Sequence, residues 1–156
     1  MNHVRNFTRM RDAELLRDYR EKIAEAMKAG GEINRHDIVR DVLHDGRPRY
    51  YVSFDQAYNV MSEINTHGLP SRKLTLKQQM WMEIYGKVQQ LRERHPSLAI
   101  HAALARVLLS ERASRYFISE DYAYKHLYRV QRAARAVMNG GCHGKCRRLN
   151  LACGAI

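Results

Sequence analysis

The chain has 156 residues, a net charge of +11 and a pI near 9.9, which favours association with nucleic acid or an acidic surface. No apolar run approaches the roughly 18 residues of a membrane span, and residues 1–11 lack the apolar segment of a secretory signal. We therefore expect no membrane association and a cytoplasmic location.

The first predicted helix runs from Arg9 to Ala29 and is stopped by two consecutive glycines. Asn34 is expected to cap a short second helix that reaches His44. Ser53, with Gln56 three residues later, predicts a capped third helix after an extended connector. The side chains expected to face inward are Leu15, Leu16, Tyr19, Ile23, Met27, Ile38, Val39, Val42, Leu43, Ala57, Tyr58, Met61 and Ile64.

Three more helices are predicted in the second half of the chain. Thr75 caps the fourth, which Pro96 ends, Ser97 precedes the fifth, and Ser119 caps a sixth from Glu120 to about Met138. The expected inward positions are Trp81, Ile84, Tyr85, Val88, Leu91, Leu104, Val107, Leu108, Leu109, Ala123, Tyr124, Leu127, Val130 and Ala134.

The two halves are related in sequence. Arg-Tyr-Tyr-Val-Ser at 49–53 reappears as Arg-Tyr-Phe-Ile-Ser at 115–119, and the caps and inward faces that follow also agree. We interpret this as a duplication and predict an all-α fold of two tandem related three-helix units, at 1–68 and 69–140, followed by a flexible basic tail at 141–156. Because each unit alone would be marginally stable, we expect the two to pack together or to share helices.

The charge is concentrated in the second half. Residues 1–66 hold equal numbers of basic and acidic side chains, and no acid follows Asp121. Basic residues recur every three or four positions along one face of the last helix, at Lys125, Arg129, Arg132 and Arg135. We expect them to contact phosphates, with the basic field extended by Arg112, Arg115, Lys145, Arg147 and Arg148. The candidates for base contact are Tyr122, Lys125, His126 and Arg129. The first copy has Asp55, Asn59 and Glu63 instead, so we expect it to be a poor binder of phosphate. Two roles stay open for it: docking a protein partner or a second copy, or only completing the core.

A short helix, a connector and a longer helix with a basic outward face resemble the helix-turn-helix superfamily of DNA-binding domains. The resemblance implies that Glu120 to Arg135 is the recognition helix and that Ala102 to Glu111 is its supporting helix. The connector from Arg112 to Ile118 is longer than the usual turn of that superfamily.

The repeated Arg-Tyr-Tyr/Phe motif has two interpretations. The aromatic residues Tyr50, Tyr51, Tyr116 and Phe117 could stack on unpaired bases beside Arg49 and Arg115, as in single-strand binders. Alternatively, they fill the core between helices, with one aromatic of each pair buried. The second interpretation is favoured because both copies keep the motif while only one is basic.

The last 15 residues hold all three cysteines. Cys142, His143, Cys146 and Cys153 match the ligand number of a zinc site, but adjacent Cys142 and His143 are awkwardly placed for chelation. We expect no metal and no cofactor. No phosphate-binding loop, zinc-protease motif or nucleophile elbow is present, so we expect no enzymatic activity.

These features favour a nucleic-acid-binding protein that binds double-stranded DNA through its last helix. Two alternatives stay open: a non-enzymatic helical interaction module that docks an acidic partner, and a small RNA-binding protein.

Overall fold

A computed structural model of the protein describes residues 3–46 and 48–140. Within these residues the fold is all-α and has no strand, which confirms the predicted class. The helices are α1 (His3–Ala29), α2 (Arg35–Asp45), α3 (Phe54–His67), α4 (Leu76–Arg94), α5 (Ile100–Ser110) and α6 (Glu120–Gly140). None of them combines the length and apolar character that crossing a membrane requires, as far as the described helices extend.

The helix starts follow the predicted caps. The side chains of Asn34 and Ser53 accept hydrogen bonds from the backbone N–H groups of His36 and Gln56, and Ser119 accepts from Tyr122 in the same way. Thr75 forms a reciprocal capping box with the Gln78 side chain. Helix α5 begins at Ile100, and Ala99 at its N-cap position provides no side-chain cap.

The helices form two hydrophobic cores, and each core takes its third helix from the other half of the chain. The first core joins α1 and α2 to α6, through residues that include Leu15, Val42 and Leu127. The second core joins α4 and α5 to α3, through residues that include Met61 and Trp81. Each core therefore combines helices from both halves of the chain.

This exchange changes the predicted domain organisation. A boundary between residues 68 and 69 would cut through both cores, because α3 lies with α4 and α5 while α6 lies with α1 and α2. Residues 1–68 and 69–140 are copies in sequence but not separate folding bodies in the structure. The tail at 141–156 lies outside the described residues.

Two connectors, 46–53 between α2 and α3 and 111–119 between α5 and α6, hold the cores together. Tyr50 and Tyr116 are buried at equivalent places, and their hydroxyls donate 2.6 Å hydrogen bonds to Glu83 and Asp18, respectively. Each tyrosine thus reaches a carboxylate on the first helix of the other copy. The backbones also meet, since the N–H of Tyr116 donates to the carbonyl of Leu43 at 3.0 Å.

The second copy shifts register within its connector. The connector 111–119 is one residue longer than the connector 46–53. The residues of α5 that are equivalent to those of α2 therefore lie one position earlier in the chain than the repeated motif would place them. Its buried residues, Ala103, Leu104 and Val107, have the same spacing as Ile38, Val39 and Val42. Leu109, predicted to face inward, is instead 87% exposed.

Three other inward predictions were wrong. Met27, near the end of α1, is 66% exposed. Tyr58 is exposed and stacks on the neighbouring ring of Phe54 at 6.0 Å between centroids. Ala134 is exposed because the end of α6 extends beyond the first core.

Candidate nucleic-acid interface

The first core fixes the orientation of α6. Ala123 and Leu127 are buried against α1 and α2, while Tyr124 packs at the edge and stacks on His36 at 4.1 Å between ring centroids. One face of the helix is therefore held, and the opposite face, which carries Lys125, Arg129 and Arg132, lies in solvent.

Three of the four predicted phosphate contacts are exposed cations without a partner. Arg129, Arg132 and Arg135 make no ion pair or hydrogen bond within residues 3–46 and 48–140. Lys125 differs, because its ammonium group lies 2.8 Å from the carboxylate of Asp121 one turn earlier. No acid follows Asp121 in the sequence, but Asp121 itself pairs with the first cation of this face. The pair is exposed, so it is only weakly stabilising and screened by salt.

The residues predicted to contact bases at the start of α6 are held by α1. The Tyr122 hydroxyl accepts from Arg11 at 2.9 Å and donates to Asp12 at 3.1 Å. Its ring is nearly parallel to that of His126, whose Nδ1 lies 3.9 Å from Asp12. Burial raises the pKa of Tyr122. The charge of Arg11 opposes this rise and Asp12 adds to it, so the pKa is raised overall. The Tyr122 hydroxyl therefore anchors α6 to α1 and is already engaged, and the His126 ring lies beside the same carboxylate.

The remaining predicted site residues divide into two sets. Arg112 is exposed, and Arg115 is half-buried, with its Nε donating to the carbonyl of Tyr116 at 3.4 Å. Lys145, Arg147 and Arg148 lie outside the described residues, and so do the metal candidates Cys142, His143, Cys146 and Cys153. In the part of the chain that is described, no three His, Cys, Asp or Glu side chains cluster in a way that would hold a metal ion.

The exchange of helices brings both copies of the repeated motif to one groove. The groove has a volume of about 270 Å³, and Arg49 and Tyr51 of the first copy line it together with Arg115 and Phe117 of the second. Phe7, Arg11 and Lys77 complete its aromatic and basic lining. As predicted, one aromatic of each pair, Tyr50 and Tyr116, is buried. The other aromatic of each pair lines the groove.

Carboxylates at the base of the connectors set the local electrostatics. Burial raises the pKa of Tyr50 and of Tyr116, and the hydrogen bonds to Glu83 and Asp18 raise them further. Burial alone would raise the pKa of Glu83, but hydrogen bonds from Ser114 and Tyr50 and the charge of Lys87 lower it. A tyrosine with a raised pKa thus stays neutral beside Glu83, whose own pKa is lowered.

Sequence reasoning missed Arg11, Lys77 and the acids that orient the connectors. Arg11 and Lys77 lie far from the motif in the chain, and the fold brings them to the groove. The one signal in the sequence was the repeated motif itself, which kept an arginine and a second aromatic in both copies.

The structure also corrects the helix pair that the resemblance required. Helix α5, assigned as the supporting helix for α6, makes no contact with it among the described residues. Helix α2 takes that place behind α6, and α5 lies behind α3. Any helix-turn-helix-like pair in this fold would combine helices from the two halves of the chain. No protein-family model matches the chain, and searches of curated proteins and of solved structures found no similar protein.

Proposed function

We propose that the protein is a non-enzymatic DNA-binding protein that lays the outward face of α6 in the major groove of a duplex. The observation that carries this proposal is the set of three exposed, unpaired arginines on α6, Arg129, Arg132 and Arg135, in the described part of the chain. The major groove accommodates a single α-helix, and arginine contacts both phosphates and the edge of guanine.

The shape of α6 supports the same proposal. Residues 132–139 are exposed on all sides, so the end of the helix extends from the body while Ala123 and Leu127 anchor its start. The equivalent helix of the first copy offers an internal contrast. Helix α3 has exposed Asp55 and Glu63 where α6 has Asp121 and Arg129, and an acidic helix would be repelled by phosphate.

The decisive experiment is a salt-dependent titration of duplex DNA with the double variant Arg129→Gln/Arg132→Gln. Each phosphate contact contributes about 0.9 to the slope of log affinity against log salt, so losing both lowers the slope by roughly two. The matched control is Arg94→Gln/Arg106→Gln, which removes two exposed arginines beside the second core, away from α6. We expect the control to keep the parent slope.

Parallel titrations with single-stranded DNA and with duplex RNA distinguish the kinds of nucleic acid. The deep, narrow major groove of RNA excludes a helix, so DNA should bind more tightly. Equal slopes for the two double variants, or no binding of the parent protein at physiological salt, would contradict the proposal.

One observation favours a second function, a helical interaction module that docks an acidic protein partner. Val137 and Met138, 77% and 80% exposed, continue the side of α6 that buries Ala123 and Leu127. A nucleic acid gains little from covering these side chains, whereas an amphipathic helix with acidic flanks would cover them and pair with the arginines. Loss of duplex binding combined with saturable binding of an acidic amphipathic peptide would favour this function.

A further inference from the structure

The groove between the two connectors combines cations and aromatic rings that the proposed contact of α6 with DNA does not use. The inner tyrosines, Tyr50 and Tyr116, are buried in the two cores, whereas the outer aromatics, Tyr51 and Phe117, are only partly buried against them. Yet each copy also keeps the arginine and the outer aromatic, and the fold brings all four of these outer side chains to one groove. This retention in both copies points to a shared binding task for Arg49, Tyr51, Arg115 and Phe117.

The charges of the groove leave room for an anion. Two of its four cations are already neutralised, because Arg49 lies 3.2 Å from Glu14 and Arg11 lies 2.8 Å from Asp12. The other two, Lys77 and Arg115, have no acidic partner among the residues that the structure describes. Ser53 and Gln56, in the first turn region of α3, also line the groove, so the positive end of that helix adds to the field.

The aromatic lining is held in place. The Tyr51 hydroxyl donates to Glu14, and its ring lies nearly parallel to that of Tyr116, with 6.3 Å between centroids. Phe117 packs against the second core and is half-buried. Both outer rings therefore present a fixed surface to the groove, which suits the stacking of a planar ring.

The size of the groove selects among ligands. Its volume of about 270 Å³ lies just below the usual range of about 300–1,000 Å³ for small-molecule sites and is far too small for a duplex or a helix. We propose that the groove binds one nucleoside monophosphate unit, with the base against Tyr51 and Phe117 and the phosphate on Lys77 and Arg115. The unit could come from a free nucleotide or from the phosphorylated end of a single strand. This inference goes beyond duplex binding and uses none of the arginines of α6.

The test is a calorimetric titration of the full chain with deoxyadenosine monophosphate, adenosine and inorganic phosphate. Deoxyadenosine monophosphate should bind, and adenosine and phosphate should each bind at least about tenfold more weakly, because each makes only part of the contact. Lys77→Gln and Arg115→Gln should each weaken binding about tenfold, the usual effect of losing a hydrogen bond to a charged group. Phe117→Leu, which keeps the apolar packing, should weaken the nucleotide but not phosphate.

A six-nucleotide strand with and without a 5′-phosphate distinguishes the two sources of the ligand. Preference for the free nucleotide supports a nucleotide site, and preference for the phosphorylated strand supports an end-binding site. Arg94→Gln/Arg106→Gln is the control for charge, and Arg129→Gln/Arg132→Gln should lose duplex binding while keeping the nucleotide. Circular dichroism melts verify that each variant folds. The inference is overturned if no nucleotide or strand binds at millimolar concentration, if phosphate alone binds as well, or if the charge control weakens binding equally.

Discussion

Tyr50 and Tyr116 each carry a buried hydroxyl that donates to a carboxylate of the other copy. A buried tyrosine with such a partner favours its neutral form, which is why both pKa values are raised above the ordinary value of about 10. A group whose pKa is raised in the folded state contributes its full stabilisation at pH values below its ordinary pKa. The contribution is lost as the pH rises toward the folded-state pKa, because the unfolded chain then releases a proton that the folded chain keeps.

We therefore predict that the free energy of unfolding falls between about pH 9 and about pH 11, where an ordinary tyrosine ionises. Urea unfolding at these two pH values measures the loss. The double variant Tyr50→Phe/Tyr116→Phe should be less stable at neutral pH, by about 1–2 kcal/mol for each lost hydrogen bond, but should lose less on going to alkaline pH.

The matched control removes two exposed tyrosines, with Tyr58→Phe/Tyr128→Phe. Lysine residues ionise alike in the parent and in both variants. A difference between the two double variants in the alkaline loss of unfolding free energy therefore comes from Tyr50 and Tyr116. An alkaline loss that is the same in both double variants would contradict the role assigned to Tyr50 and Tyr116.

Helix α6 has a buried start and an exposed end, although its amphipathic pattern continues throughout. Leu127 is 2% exposed and contacts the first core, whereas Val137, ten residues later, has no comparable cover. The hydrophobic effect rewards only the part that is covered, so the two ends of the helix should respond differently to truncation of an apolar side chain.

We predict that Leu127→Ala lowers the free energy of unfolding by about 2–5 kcal/mol, the usual cost of a cavity in a core. Val137→Ala should change it by less than about 0.5 kcal/mol, as is typical of surface positions. Urea melts of the two variants provide the measurement. If Val137→Ala were as costly as Leu127→Ala, the end of α6 would have to be covered by protein.

The helices themselves could be predicted because their signals are local. The caps at Asn34, Ser53 and Thr75 follow from side-chain chemistry next to the backbone groups that they satisfy. The position of Leu109 could not be predicted from the motif, because one extra residue in the connector rotates the helix that precedes it. The groove was also hidden, since nothing local brings Lys77 to Arg115.

The exchange of α3 and α6 could not be read from helical periodicity. An apolar stripe shows that a helix packs against other helices, but not which ones. Because the two copies are similar in sequence, the third helix of each copy has similar packing partners in its own copy and in the other. The connectors decide between them. Tyr50 and Tyr116 each bind the first helix of the other copy, and the backbone of Tyr116 binds Leu43, so each chain segment crosses before its third helix begins.

The exchange ties the stability of each core to both halves of the chain. A single half has about 68 residues, buries only about 60% of its unfolded surface, and would lack the helix that completes its core. Leu127 would be missing from the first core and Met61 from the second. Neither half should therefore form a stable core by itself.

We predict that fragments 1–68 and 69–140 have little helical structure when produced separately and recover it when mixed in equal amounts. Trp81, the only tryptophan, lies in the second core and reports its formation by fluorescence. A matched experiment starts from the folded chain, with a protease site inserted in the exposed linker at 68–70. After cleavage the two halves should co-elute and melt together, because each holds a helix that completes the other's core. Cooperative melting of either fragment as a monomer, or separation of the cleaved halves without denaturant, would mean that the halves fold independently and that the exchange does not exist in solution.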